Sequence, residues 1–206
     1  MKLFRFALIF LLFGCSAPLA QAAGDRISTH FTSSNVVESA PSFEVATETA
    51  YMVGIIGNPN SYDIAAQFFT ARWRWGGIER DSWLQGYNQV YALFMAEPIV
   101  RGPENFYYGI SVGLRYVFQK PGARFALYVS GGVGLGWLDS HASVSGAQGQ
   151  DFTFNILSAV GVYYQVNDHW KLTGGILYQH LSNGGQTDPN PSLNLLGPQI
   201  GATYSF

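Results

Sequence analysis

Large apolar side chains recur at every second position along most of this chain, and the residues between them are small or polar. Period two is the signature of a β-strand, whose successive side chains point to opposite faces. Between residues 106 and 118, Phe106, Tyr108, Ile110, Val112, Leu114, Tyr116 and Phe118 share one face, while Gly109, Ser111, Gly113 and Arg115 lie on the other. Phe125, Leu127, Val129, Val133, Leu135 and Trp137 oppose Ala126, Ser130, Gly132, Gly134 and Gly136 in the same way, and Phe152, Phe154, Ile156, Val160, Val162 and Tyr164 repeat it. A water-soluble barrel would turn such a face inward and cover its outside with charge. Only 12% of the residues are charged and 16% are aromatic, against about 25% charged in an average soluble domain. The large apolar face is therefore expected to meet lipid, with the small and polar face inside.

Eight alternating stretches are expected, at about 48–57, 62–75, 84–97, 106–118, 124–138, 151–165, 169–182 and 192–206, separated by turn residues such as Gly57-Asn58-Pro59-Asn60 and Lys120-Pro121-Gly122. Strands of this length cross a bilayer when tilted. They must close on themselves, because an open edge in hydrocarbon leaves backbone groups unpaired. The predicted fold is all-β: an eight-stranded antiparallel transmembrane β-barrel, too narrow for a channel and filled by side chains that include Arg115 and Glu97. A secreted β-sandwich or lipocalin-like barrel is the soluble alternative. An even strand number puts both chain ends on one side, the periplasmic one, and the loop at 183–191 on the cell-surface side.

The first 22 residues read as a cleaved signal peptide: Lys2 and Arg5, an apolar run over 6–13, then Ala20-Gln21-Ala22 as the cleavage signal. Leu12-Phe13-Gly14-Cys15 offers a rival lipoprotein reading in which Cys15 is acylated. Ordinary cleavage removes this single cysteine and leaves nine basic against thirteen acidic residues, so the mature chain has no disulfide and no basic surface for nucleic acid. Residues 23–47, polar and Ser-rich, read as a lead-in to a barrel over 48–206.

Chemistry concentrates in the last connection. Tyr178-Gln179-His180-Leu181-Ser182-Asn183-Gly184-Gly185 enters it, and Asp188-Pro189-Asn190-Pro191-Ser192-Leu193-Asn194 leaves it. His180 and Ser182 share the lipid-facing parity of their strand, roughly 6 to 7 Å apart along the backbone, so their side chains can meet as base and nucleophile. Interfacial wetting of a His and a Ser at a strand end is the plain alternative, and the Asn, Gly and Pro residues suit any turn. His30, His141 and His169 stand singly, so no metal cluster is implied and no cofactor is expected. Lys120, Arg101 and Arg124 are too dispersed to clamp a phosphate.

His180-Leu181-Ser182-Asn183-Gly184-Gly185 followed by Pro189-Asn190 resembles the motif of the lipid A 3-O-deacylase (PagL-type) family of small outer-membrane barrels. The likeness extends from about Tyr62 to the end, through Arg72-Trp73-Arg74-Trp75, Gly131-Gly132-Val133-Gly134-Leu135-Gly136 and Asp151-Phe152-Thr153-Phe154-Asn155. The terminal run Ile200, Ala202, Tyr204 and Phe206 resembles the signal such barrels present to their assembly machinery. The resemblance implies an outer-membrane hydrolase that removes the ester-linked hydroxyacyl chain at position 3 of lipid A, the anchor of lipopolysaccharide. Ser182 would be its nucleophile and His180 its base, with Asn190 and the backbone N–H of Gly184 or Gly185 as oxyanion donors. The family's acid position holds Asn194 here, and Asp188 is an alternative acid. A slower enzyme, a different third residue, and an inactive descendant serving as a structural or adhesive surface barrel all stay open, as does a homodimer.

Overall fold

The alternating stretches form eight antiparallel strands in a computed structural model of the protein, which describes residues 43–57, 62–78 and 83–206. They are β1 (Phe43–Gly54), β2 (Asp63–Ile78), β3 (Gly86–Arg101), β4 (Phe106–Phe118), β5 (Phe125–Leu138), β6 (Phe152–Gln165), β7 (Trp170–Ser182) and β8 (Leu193–Ser205). Each pairs with its sequence neighbours, and β1 closes the barrel on β8 with Glu44 opposite Ser205 and Val53 opposite Leu196. Among the described residues closure gives every strand two partners, which is what a wall in hydrocarbon requires. The β2–β3 ladder shifts register between Arg74 and Gly77, where Gly76 takes a positive φ of 63°; this is the left-handed geometry that bulges draw from glycine.

The faces lie as the alternation predicts. Val112, Leu114, Phe125, Leu127, Val133, Val160 and Ile200 point outward, Ile200 with 68% of its surface exposed. Arg115 and Glu97 point inward and are buried. The expected signal peptide over 1–22, and residues 23–42 of the expected lead-in, lie outside the described residues. The first strand departs from expectation: it starts at Phe43, not at 48, and ends at Gly54. Its opening residues look polar because the inward row carries acids. Glu44 and Glu48 are both buried, while Val45 and Thr47 face out.

These acids organise the interior. Glu48 accepts from Arg72 at 2.7 Å and lies 3.7 Å from Arg115, and Glu44 pairs with Lys171 and accepts from Gln89 at 2.8 Å. The Arg115 guanidinium stacks 4.2 Å from the Tyr128 ring centre. Such pairs answer the desolvation penalty of charges held inside a narrow barrel. The inner face is less small than expected, because tyrosines reach across its glycines. Tyr91 lies in register with Gly113, which faces Gly132 on the next strand, and a Cβ on either glycine would strike the Tyr91 ring.

The connections 55–62, 102–105, 139–151 and 183–192 share one end of the barrel. The C-terminal ends of β2, β4 and β6 share the other end with Phe43 and Phe206.

Candidate active site

The candidate residues sit on the outer wall at the end where β7 gives way to its loop. On β7 the outward row is Leu172, Ile176, Tyr178, His180 and Ser182, and on β8 it is Asn194, Leu196 and Ile200. His180 is directly opposite Asn194 in the β7–β8 ladder. Opposed residues on one face bring their Cβ atoms to about 4.5–5.5 Å, and here His180 Nδ1 lies 2.9 Å from Asn194 Oδ1. Ile156 and Phe154 of β6 flank His180 and Ser182 on the other side.

The Asn194 amide is fixed by its neighbours. Its Nδ2 donates to the carbonyls of Ile56 at 3.0 Å and Ser192 at 3.1 Å, neither of which can donate in return. Its Oδ1 accepts from the Tyr178 hydroxyl at 2.8 Å and faces the imidazole. An amide held this way presents oxygen, not nitrogen, to His180, so the ring proton belongs on Nδ1. Nε2 then keeps its lone pair, the form a general base needs.

Ser182 stands under the returning loop. Its hydroxyl donates to Asn190 Oδ1 at 3.2 Å, not to His180, and accepts from Gly184 N–H and Asn190 Nδ2, each at 3.1 Å. The Asn183 N–H donates to Asn190 Oδ1 at 3.2 Å, which orients that amide with its NH2 toward Ser182. Catalytic hydrogen bonds are often looser in a protein without substrate, so a serine turned to its loop still qualifies as a nucleophile. Gly184 N–H and Asn190 Nδ2 both donate to Oγ, so two donors border the serine hydroxyl from the loop.

The sequence puts Gly185 on a par with Gly184, but the structure separates them. The Gly185 N–H donates to Asn183 Oδ1 at 2.9 Å, so its donor is engaged within the loop. Asp188 is exposed, and among the described residues it makes no hydrogen bond or ion pair to His180, whose Nδ1 is taken by Asn194. In this structure it is Asn194, not Asp188, that faces His180 Nδ1.

Three contributors have no role of their own in the reading of the sequence. Tyr178 stands there only as part of the lipid-facing row. Asn183 is buried and ties the loop together by donating to Thr187 O at 2.6 Å and accepting from Gly185; an Asn just before two glycines is a turn signal that could have found it. The Ile56 carbonyl comes from the β1–β2 connection, and nothing in the sequence points to it. Gly184 and Gly185 take positive φ values of 68° and 73°, and Ser192 does so at 53° without being glycine. The two glycines adopt this geometry without strain; at Ser192 it is strained, and such strain gathers at working sites.

Among the described residues, charge near the site is sparse. Arg101 is tied to Asp63 at 2.9 Å, Lys120 and Arg124 are at the other end of the barrel, and His141 is in the 139–151 loop, 3.6 Å from Asp139.

The sequence model of the family described as lipid A 3-O-deacylase (PagL) matches residues 60–203. Among solved structures, the fold resembles Neisserial surface protein A at a TM-score of 0.61 and 16% identity, covering 82% of this chain and 100% of that one. It also resembles the outer membrane enzyme PagL at a TM-score of 0.56 and 14% identity, covering 77% of this chain and 97% of that one. A search of curated proteins finds no match.

Proposed function

This chain belongs to the lipid A 3-O-deacylase family, and from that premise we propose that it is a serine ester hydrolase of the outer membrane, acting on lipid A of lipopolysaccharide. The reaction removes the hydroxyacyl chain esterified at position 3. Ser182 attacks the ester carbonyl while His180 Nε2 takes its proton, and the resulting imidazolium returns that proton to the leaving sugar hydroxyl. The acyl chain is then held as an ester on Ser182 Oγ. Water, deprotonated by His180, attacks this ester, and the imidazolium returns the proton to Ser182 Oγ as the fatty acid leaves. Asn190 Nδ2 and the Gly184 N–H receive the negative oxygen in each half.

One observation carries the reading: the carbonyl oxygen of Asn194 faces His180 Nδ1 at 2.9 Å, with the amide pinned behind it. A carboxylate at this place would also stabilise the imidazolium; Asn194 supplies only the tautomer. The site's position on the outer wall suits an ester lying just below the head groups, reached without lifting the lipid from its leaflet. The outward apolar face and barrel closure support the membrane setting, and the barrel assembly machinery is the expected route into it. No metal or organic cofactor enters this scheme.

A second reading, a surface barrel without catalysis, draws on the Ser182 hydroxyl donating to Asn190. Release of free hydroxy fatty acid from lipopolysaccharide, with phospholipid vesicles in parallel, separates the cases. The deacylase reading expects release from lipopolysaccharide alone. Equal release from both substrates would assign a broader esterase, and release from neither would favour the second reading.

A further inference from the structure

The connection between β5 and β6 does more than join two strands. Ala147 and Gln148 are completely buried, although they belong to a surface loop. Glu104, itself buried in the short β3–β4 connection, holds them there. One of its oxygens accepts the Gln148 N–H at 2.8 Å, and the other accepts the hydroxyl of Tyr62, the residue just before β2. The loop is thereby anchored across this end of the barrel.

Beyond that anchor the same loop meets the one that carries Asn190. The Gly149 N–H donates to the Pro189 carbonyl at 2.7 Å. Gln150 follows, donating from Nε2 to Gln186 Oε1 at 2.9 Å and accepting from the Thr187 hydroxyl at 2.6 Å. Contact at Gly149 is close: a Cβ there would stand 2.6 Å from the Asp188 carbonyl carbon and oxygen and 2.9 Å from Pro189 N. All three are backbone atoms, which cannot swing aside as a side chain would. Asn190, whose amide must stay on Ser182, is the very next residue after Pro189.

We infer that the β5–β6 connection is a strap that sets the position of Asn190, with Gly149 and Gln150 as positioning residues and Glu104 as their anchor. This rests on the deacylase reading for its effect on rate, but not for its effect on the loop. The strap makes no hydrogen bond to Ser182 or His180. It acts by fixing where the 183–192 loop returns, and a misplacement of about 1 Å at a reacting centre can cost on the order of 100-fold in rate.

The test compares the refolded protein with Gly149→Ala and Gln150→Ala, the second serving if the first does not fold. Hydrogen exchange read by mass spectrometry reports the 183–192 loop directly, and kcat and KM on lipopolysaccharide report its consequence. Both variants are expected to exchange several-fold faster in 183–192, with strand amides unchanged. Gly149→Ala is expected to lower kcat by about 10- to 100-fold at nearly constant KM. Added to Asn190→Ala, neither variant should lower kcat further, because the group they position is already gone. Unchanged exchange would overturn the strap. Faster exchange with unaltered kcat, or an equal loss in the Asn190→Ala background, would overturn its positioning role. If the parent protein shows no deacylation, the functional reading falls and the exchange rates alone decide whether the strap holds the loop.

Discussion

At the scale of single residues, Asn194 raises a question the sequence alone leaves open, because an amide can present either its oxygen or its nitrogen to a histidine. A nitrogen facing His180 would demand the wrong tautomer, and in a Ser-His-Asp triad that error costs about 10⁴ in kcat. The carbonyls of Ile56 and Ser192 decide it by accepting from Nδ2, which turns Oδ1 to the ring. Asn194→Leu keeps the branched shape and removes every hydrogen bond of the side chain, so kcat on lipopolysaccharide is expected to fall by about 100- to 10,000-fold with KM little changed. Tyr178→Phe removes one donor from Oδ1. One hydrogen bond contributes about 0.5–1.5 kcal/mol, so this change should slow turnover by a few-fold to about tenfold. Steady-state kinetics on the two variants checks both, and an Asn194→Leu protein as fast as its parent would remove Asn194 from the site.

Among the elements, the strands show what alternation reveals and what it hides. β4 to β8 begin and end within a residue of expectation, because large and small residues alternate over most of their length and turn residues bound them. The start of β1 is hidden, since Phe43-Glu44-Val45-Ala46-Thr47-Glu48 looks like a soluble lead-in until Arg72, Arg115 and Lys171 are placed opposite its acids. The pairing of distant strands is invisible in one sequence. For the same reason the inner glycines read only as small residues, when register puts Gly113 and Gly132 in one row beneath Tyr91. Ser182, His180 and Asn190 are legible as a motif. Ile56 and Gly149 are not, because their contacts cross connections far apart in the chain. Gly132→Val pushes two methyl groups into the Tyr91 ring, and overpacking of this kind costs about 1–3 kcal/mol. The denaturant midpoint of the refolded barrel should fall accordingly, and Tyr91→Ala in the same chain should restore part of the loss. An unchanged midpoint would mean that the row has slack.

The whole molecule divides its labour between faces. Ionic groups hold the inside together, outward-facing apolar side chains cover the outside, and the candidate chemistry occupies one rim of that outside. Glu48→Gln leaves Arg72 and Arg115 buried with a neutral partner, and breaking a buried pair from one side costs about 3–5 kcal/mol. Heat-induced unfolding in detergent should move to lower temperature, while the fraction still folded keeps its turnover, because the pair and the site lie on opposite faces of the wall. The outer face puts Ser182 where a lipid ester could approach it, and the central claim is that this serine cleaves one. Mass spectrometry of lipid A that carries a 3-O-acyl group, after incubation with the refolded protein or with Ser182→Ala, tests that most directly. The account predicts loss of one hydroxyacyl chain with the parent and none with the variant. Intact lipid A with a correctly folded parent, or equal loss with Ser182→Ala, would contradict it.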